Sequence, residues 1–146
     1  MLITGPCKKR GVHSYHESSA MRVALITGAA QGVGFATAKM FADTGYHVVM
    51  TDVQPLDAQI AMLAERGGSV SALSGDISSE AFVIELAKKI AHEHQAADVL
   101  VNNAGISMIS PAEDTSIEQW QRVMNVNLTG PFLLCREIGK QMLAHQ

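Results

Sequence analysis

The chain has 146 residues, 47% of them hydrophobic and 17% charged, with a formal net charge of −3. That balance fits a folded domain with its own core rather than a disordered segment. It offers no basic surface to nucleic acid or to an anionic membrane, and no apolar run reaches the length that spans a bilayer. Cys7 and Cys135 lie far apart without Cys-x-x-Cys spacing, so neither a disulfide framework nor a zinc site is expected. The nearest histidine pairs, His13 with His16 and His92 with His94, have no further ligand-type neighbours that would complete a metal site. A reducing, cytoplasmic setting is the expectation.

Residues 1–20 hold Pro6, Lys8-Lys9-Arg10, Gly11 and a Ser/His cluster with no sustained period. They are expected to be a disordered extension outside the fold. The segment lacks the apolar core of a secretory signal. Its basic, serine-containing composition leaves a transit peptide open, and Met21, directly before the first strand, is an alternative start. Leu2-Ile3-Thr4-Gly5 repeats Leu25-Ile26-Thr27-Gly28 without the later glycines and is read as coincidence.

The stretch around which the chain is organised runs from Val23 to Gly34. Val23 to Ile26 is a short apolar run, as expected of a strand buried on both faces of a parallel sheet. From Val33, the positions Val33, Ala36, Thr37, Met40 and Phe41 follow a helical stripe, and Gly45 is placed to end that helix in a left-handed cap. Between strand and helix, Gly28, Gly32 and Gly34 remove side chains that would keep an anion from the backbone. The free N–H groups of the helix's first turn would then face that anion. The alternative is a tight turn with glycines for steric reasons only.

A second strand is expected over residues 47–51, ended by Asp52, then a helix from Leu56 to Arg66 closed by Gly67-Gly68. A third short strand covers residues 69–73, followed by Gly75-Asp76-Ile77 and a helix over residues 79–95 with Phe82, Leu86 and Ile90 on one face. The fourth strand is Asp98 to Asn102, with Asn103-Ala104-Gly105 just past its carboxyl end. Thr115 with Glu118, or Ser116 with Gln119, offers a capping box for the last helix. That helix carries Trp120, Val123, Leu128, Phe132 and Ile138, and Pro131 in its middle should kink it and free the carbonyl of Asn127.

The Thr-Gly-x-x-x-Gly-x-Gly spacing at Thr27 to Gly34 resembles the classical short-chain dehydrogenases/reductases. Gly75-Asp76-Ile77, Asn102-Asn103-Ala104-Gly105 and Asn125-Val126-Asn127-Leu128-Thr129-Gly130 match the same family in order, so the resemblance covers residues 22–146. It implies an α/β, Rossmann-like, doubly wound parallel sheet of strand order 3-2-1-4, truncated after the helix that follows strand 4. Residues 21–146 would then form an incomplete NAD(P)-binding domain. The cofactor-binding residues it implies are Thr27, Gly28, Gln31, Gly32, Val33, Gly34, Asp52, Val53, Asp76, Ile77, Asn103, Ala104 and Gly105.

A carboxylate at the end of the second strand accepts hydrogen bonds from the adenosine ribose hydroxyls in dinucleotide folds. Asp52 would also repel a 2′-phosphate, and neither Gln31 nor Val53 supplies a compensating charge. NAD(H) is therefore expected over NADP(H). By resemblance, Asp76 and Ile77 contact the adenine, Asn103 braces neighbouring strands, and Ala104 and Gly105 admit the cofactor ribose. Asn127 is the implied catalytic-site residue, its backbone carbonyl holding a water in a proton relay. The structural alternatives are that Asp52 opens a solvated turn and that Asp76 orders the turn before the next helix.

The family's substrate-polarising serine and its Tyr-x-x-x-Lys pair are not among these residues. The only tyrosines, Tyr15 and Tyr46, are followed at the fourth position by Ser19 and Met50. Two functions follow as expectations. The first is the cofactor portion of an oxidoreductase interconverting an alcohol and a ketone of 3-oxoacyl, sugar/polyol or diol type, inactive by itself. The second is a catalytically dead nucleotide-binding or subunit-interaction module. The fourth strand is expected to present an unpaired edge and the last helix an apolar face, which points to a homo-oligomer or to self-association.

Overall fold

The computed structural model describes residues 2–4 and 21–145. In chain order the elements are β1 (Leu2–Thr4), β2 (Val23–Thr27), α1 (Gly32–Asp43), β3 (His47–Thr51), α2 (Asp57–Glu65) and β4 (Ser69–Ala72). They continue with α3 (Glu80–His94), β5 (Val99–Val101), α4 (Ile117–Met124) and α5 (Gly130–Ala144). The sheet order is β1-β5-β2-β3-β4, and every pairing from β5 to β4 is parallel. Counting from β2, this is the expected 3-2-1-4 order of a doubly wound fold.

Each buried strand sends alternate residues to opposite faces. Leu25, Val49 and Leu100 join Val83, Leu86, Ile90, Leu134 and Ile138 in the layer beneath α3 and α5. Ile26, Val48 and Met50 join Ala38, Leu56 and Leu63 beneath α1 and α2. Both faces being covered is why β2 reads as a continuous apolar run rather than an alternating one.

Two expectations need correction. The outer edge of β5 is not unpaired, because Leu2–Thr4 runs antiparallel along it in the register Leu2↔Val101, Ile3↔Leu100, Thr4↔Val99. The two Leu-Ile-Thr copies thus flank β5 on its two edges. Residues 2–4 therefore belong to the sheet, while residues 5–20 lie outside the described residues.

Of the expected apolar stripe of α1, Phe41 packs against the core but Val33 and Met40 do not. Val33 is 74% and Met40 69% exposed, whereas Gly34 and Ala38 are buried and Phe35, Phe41 and Ala42 pack partly against the core. Small residues at 34 and 38 bring the helix axis close to the sheet, and that closeness outweighs side-chain size in choosing the face. Gly45, at φ +83, ends the helix as expected.

The last expected helix is three pieces. Ser116 caps α4 with the reciprocal Gln119 contact, one of the two boxes the sequence allowed. Thr115 instead turns its hydroxyl to the carbonyl of Pro111, 2.9 Å away. Asn125–Thr129 form a π-helical turn, and α5 restarts with Pro131 in its first turn. Pro131 has no N–H for the carbonyl of Asn127, so the ladder widens ahead of it rather than continuing as a kinked α-helix.

Candidate functional site: a cleft at the carboxyl ends of the strands

Parallel strands covered on both faces leave their ligand-facing groups at the carboxyl rim, where the loops diverge. Here Gly28, Asp52, Asp76 and Asn103 follow β2, β3, β4 and β5, and all four line one cleft of about 830 Å³. Gln31, Val53, Ile77, Ala104 and Gly105 line it as well. Its far wall is α4 and the turn after it, with Ile117, Glu118, Gln121, Arg122, Asn125 and Val126.

The glycines divide the work unevenly. A Cβ on Gly28 would stand 2.8 Å from the Cα of Ala104, and one on Gly34 would strike the carbonyl oxygen of Gly28 and the side-chain amide of Asn103. Both are small because the strand, loop and helix pack against one another, not because of a ligand. Gly32 alone has open space where its Cβ would be, and its φ of +56 is a left-handed conformation that L side chains resist. It heads α1, whose first-turn N–H groups have no helical acceptor. The start of α1 at Gly32 is therefore the one place of the three with open space beside the backbone, with Gly28 and Gly34 setting the shape of the loop, while Thr27, Gly32 and Gly34 themselves do not line the cleft.

Beneath the loop, the fully buried Thr27 hydroxyl donates to the carbonyl of Val101 at 3.3 Å and accepts from the N–H groups of Asn103 and Ala104, each at 3.0 Å. The Asn103 amide donates in turn to the carbonyls of Thr27 (3.0 Å) and Gly28 (3.2 Å). These bonds tie the end of β5 to the end of β2, the bracing that the sequence reading gave to Asn103.

Asp52 accepts from the N–H of Ala30 at 2.9 Å through Oδ2 and from that of Gln54 at 3.0 Å through Oδ1. Each carboxylate oxygen keeps a further lone pair for a hydroxyl. Asp76 accepts from the N–H and the hydroxyl of Ser78, both at 2.8 Å, which is the turn-ordering role left open for it. Val33 stands exposed on α1, outside the cleft lining.

Asn127 is absent from the lining too. Its side chain clasps Ile106, with Nδ2 donating to the carbonyl at 2.8 Å and Oδ1 accepting from the N–H at 2.9 Å. The side chain thereby fixes the segment after Gly105. Gln54, Ser78, Gln121 and Arg122 were not singled out in the sequence, and Glu118, Asn125 and Val126 were noted there only as a cap and as part of a family motif, not as a wall of the cleft. Glu118, Gln121, Arg122 and Asn125 recur at helical spacing behind a capping box, and that polar stripe was the available signal. The Glu118 carboxyl sits below its ordinary range because its own backbone N–H and the Ser116 hydroxyl bond to it.

A glycine-headed helix, a carboxylate after β3 and an asparagine brace now stand around one cleft, and a family model described as short chain dehydrogenase matches residues 22–146. The chain belongs to the short-chain dehydrogenase family. This is an oxidoreductase family with a dinucleotide-binding, Rossmann-like fold. The short-chain dehydrogenase/reductase eriH of Hericium erinaceus is 44% identical over 133 residues, covering 86% of this chain and 52% of that protein. D-threitol dehydrogenase of Mycolicibacterium smegmatis is 38% identical over 125 residues, covering 84% of this chain and 48% of its own length. A metagenomic short-chain oxidoreductase solved with NADP superposes with a TM-score of 0.82 at 33% identity, covering 88% of this chain and 60% of that one. The chain thus spans about half the length of the curated relatives it matches. Among the described residues no helix is long and apolar enough to cross a membrane.

Proposed function

We propose that residues 21–146 form the NAD(H)-binding portion of an oxidoreductase that interconverts an alcohol and a ketone of sugar/polyol, diol or 3-oxoacyl type. The observation that carries this reading is the carboxylate of Asp52, held by the N–H groups of Ala30 and Gln54 in the lining of a cleft that Gly28 and Gln31, just ahead of α1, also line. A nicotinamide cofactor supplies the hydride acceptor or donor. The chain's own part is to bind and orient it. Gly32 and the following N–H groups receive the pyrophosphate, Asp52 takes the adenosine ribose, and Asp76 with Ile77 lies beside the adenine. Gln31, Val53, Ala104 and Gly105 border the cofactor along its length, while Gly28 and Gly34 shape the loop through their contacts with the end of β5.

The preference for NAD(H) rests on charge. Asp52 would meet a 2′-phosphate with its own negative charge. A similar fold in the relative solved with NADP holds the phosphorylated cofactor, so the proposed preference rests on Asp52 alone. The carbonyl of Asn127, deprived of its i+4 donor by Pro131, is assigned the water of a proton relay. The serine and Tyr-x-x-x-Lys pair needed to finish the reaction are not among these 146 residues, and the polypeptide as given is expected to bind without turning over substrate.

The test is a fluorescence titration of the 146-residue chain with NADH and with NADPH. NADH is expected to bind about tenfold or more tightly, a difference of about 1.4 kcal/mol or more. Gly32→Leu is expected to abolish binding of both, because the side chain fills the anion's place. Equal affinity for the two dinucleotides would remove the role of Asp52, and an unaffected Gly32→Leu would remove the cradle.

A second reading has its own observation. Ile117, Trp120, Leu128 and Phe132 are each more than half exposed along α4, the π turn and α5. An apolar surface of this kind suits contact with further protein, whether the remainder of a longer polypeptide or another copy, and light scattering of the chain distinguishes a monomer from an associating species.

A further inference from the structure

Ala30 sits in the loop between Gly28 and Gly32, and it is held from two sides. Its N–H donates to Asp52 Oδ2 at 2.9 Å, while its carbonyl accepts from Nε2 of Gln59 at 2.7 Å. The preceding N–H, of Ala29, reaches the carbonyl of Thr51 at 3.2 Å. Gln59 is the third residue of α2 and is half-buried, outside the cleft lining. Only its amide nitrogen can donate to a carbonyl, so the orientation of the side chain is fixed by its partner.

Ala30 is 7% exposed. Without Gln59, its carbonyl would be a buried acceptor lacking this donor, a condition that folded chains avoid by moving the group toward water. Ala30 packs into the core beneath α1 and α2, but its small side chain does not fix the direction of its carbonyl, which Gln59 does. Any shift of Ala30 lengthens its N–H bond to Asp52 and leaves the carboxylate held by the N–H of Gln54 alone, free to turn about that one bond. We infer that Gln59 is a positioning residue for nucleotide recognition: it clamps Ala30 from α2, and through Ala30 it aims the carboxylate of Asp52 at the adenosine ribose. The inference rests on the reading of this cleft as an NAD(H) site.

The experiment is a double-mutant cycle on NADH affinity, read by fluorescence titration with the full 146-residue chain and requiring no turnover. Gln59→Leu, of similar size but without a donor, is expected to weaken NADH binding about tenfold. NADPH, which does not use the ribose 2′-hydroxyl, should lose less. In an Asp52→Asn background, the same Gln59→Leu change is expected to cost less than about twofold, because the group it positions is already altered. Gln59→Glu, which keeps the shape and at neutral pH offers no donor, should reproduce Gln59→Leu and guards against a folding defect in the first variant. Thermal melting of each variant identifies loss of fold.

Failure of the unaltered chain to bind NADH overturns the site reading itself. NADH binding that is unchanged in folded Gln59→Leu and Gln59→Glu overturns the clamp alone. So does an equal loss for both dinucleotides that persists in the Asp52→Asn background, which a merely structural glutamine would give.

Discussion

The loop between β2 and α1 and the segment from α4 into α5 face the same cleft but are built oppositely. In the first, nearly every polar group is tied. Thr27, Asn103, Asp52 and Gln59 each hold a backbone atom of a neighbouring strand or loop, and glycines allow contacts that no Cβ would permit. In the second, α4 contributes no buried residue, Ile117 and Trp120 are more than half exposed, and the helical ladder is interrupted by a π turn. The first region achieves precision through packing that tolerates no extra atom. The second leaves apolar surface and an interrupted backbone available. Backbone stability and ligand geometry are therefore concentrated on the strand side of the cleft, and substitutions should have very unequal effects on its two sides.

The largest expected effect comes from Gly34→Val. Its side chain would meet the carbonyl of Gly28 and the amide of Asn103, and the first is backbone that cannot rotate aside. Overpacking of this kind costs about 3 kcal/mol or more when the obstacle is fixed. Urea denaturation should show a strongly reduced midpoint or no folded protein. A midpoint like that of the unaltered chain would mean that the tightly built side of the cleft is not tight.

Much of this contrast was legible in the sequence on one side only. Gly28 and Asp52 could be placed at strand ends because short apolar runs stop at them, whereas the sheet order, and the roles of Asp76 and Asn103, came from the family resemblance. What the glycines do individually was not legible. The spacing alone does not say that Gly34 faces Asn103 while Gly32 faces open space, since this depends on where the end of β5 lands. The packing face of α1 was partly misread because Val33 and Met40 are large, yet close approach through Gly34 and Ala38 governed the choice. Pairing of Leu2–Thr4 with β5 was equally hidden, because a three-residue strand has too few positions to display a period. The π turn at Asn125–Thr129 was half legible, with Pro131 announcing the break but not its form.

Acid should act next, and on the tied side. His47, at the start of β3, places Nδ1 2.8 Å from the Ser69 hydroxyl and Nε2 2.9 Å from that of Ser71, with the ring of His94 stacked at 4.2 Å. Burial lowers its pKa from the ordinary 6.5. The charges of His94 and Lys89 lower it further, and Glu93 only partly opposes them. The unfolded chain therefore takes up the proton first as pH falls. The stability held with neutral His47 is intact above about pH 6.5 and is lost as pH drops below that toward the folded value. The thermal midpoint is expected to fall between pH 7.5 and 5.5, and His47→Gln, which can still bond to the serines, should flatten that part of the profile. An unchanged slope in His47→Gln would place the acid sensitivity elsewhere.

The smallest expected effect has the opposite sign and comes from a position away from the cleft. Gly139 lies within α5, and a Cβ there would meet nothing within 4 Å. A glycine inside a helix costs conformational entropy that alanine does not, so where space is free Gly139→Ala should stabilise the chain by about 0.5–1 kcal/mol. The same chemical change made at Gly34 would bring a collision. Two helical glycines, one packed under the loop between β2 and α1 and one with open space around it, thus test the effect of one added methyl group each, and thermal melting of the two alanine variants reads it. Destabilisation by Gly139→Ala would mean that α5 is more closely packed at that point than its open surroundings indicate.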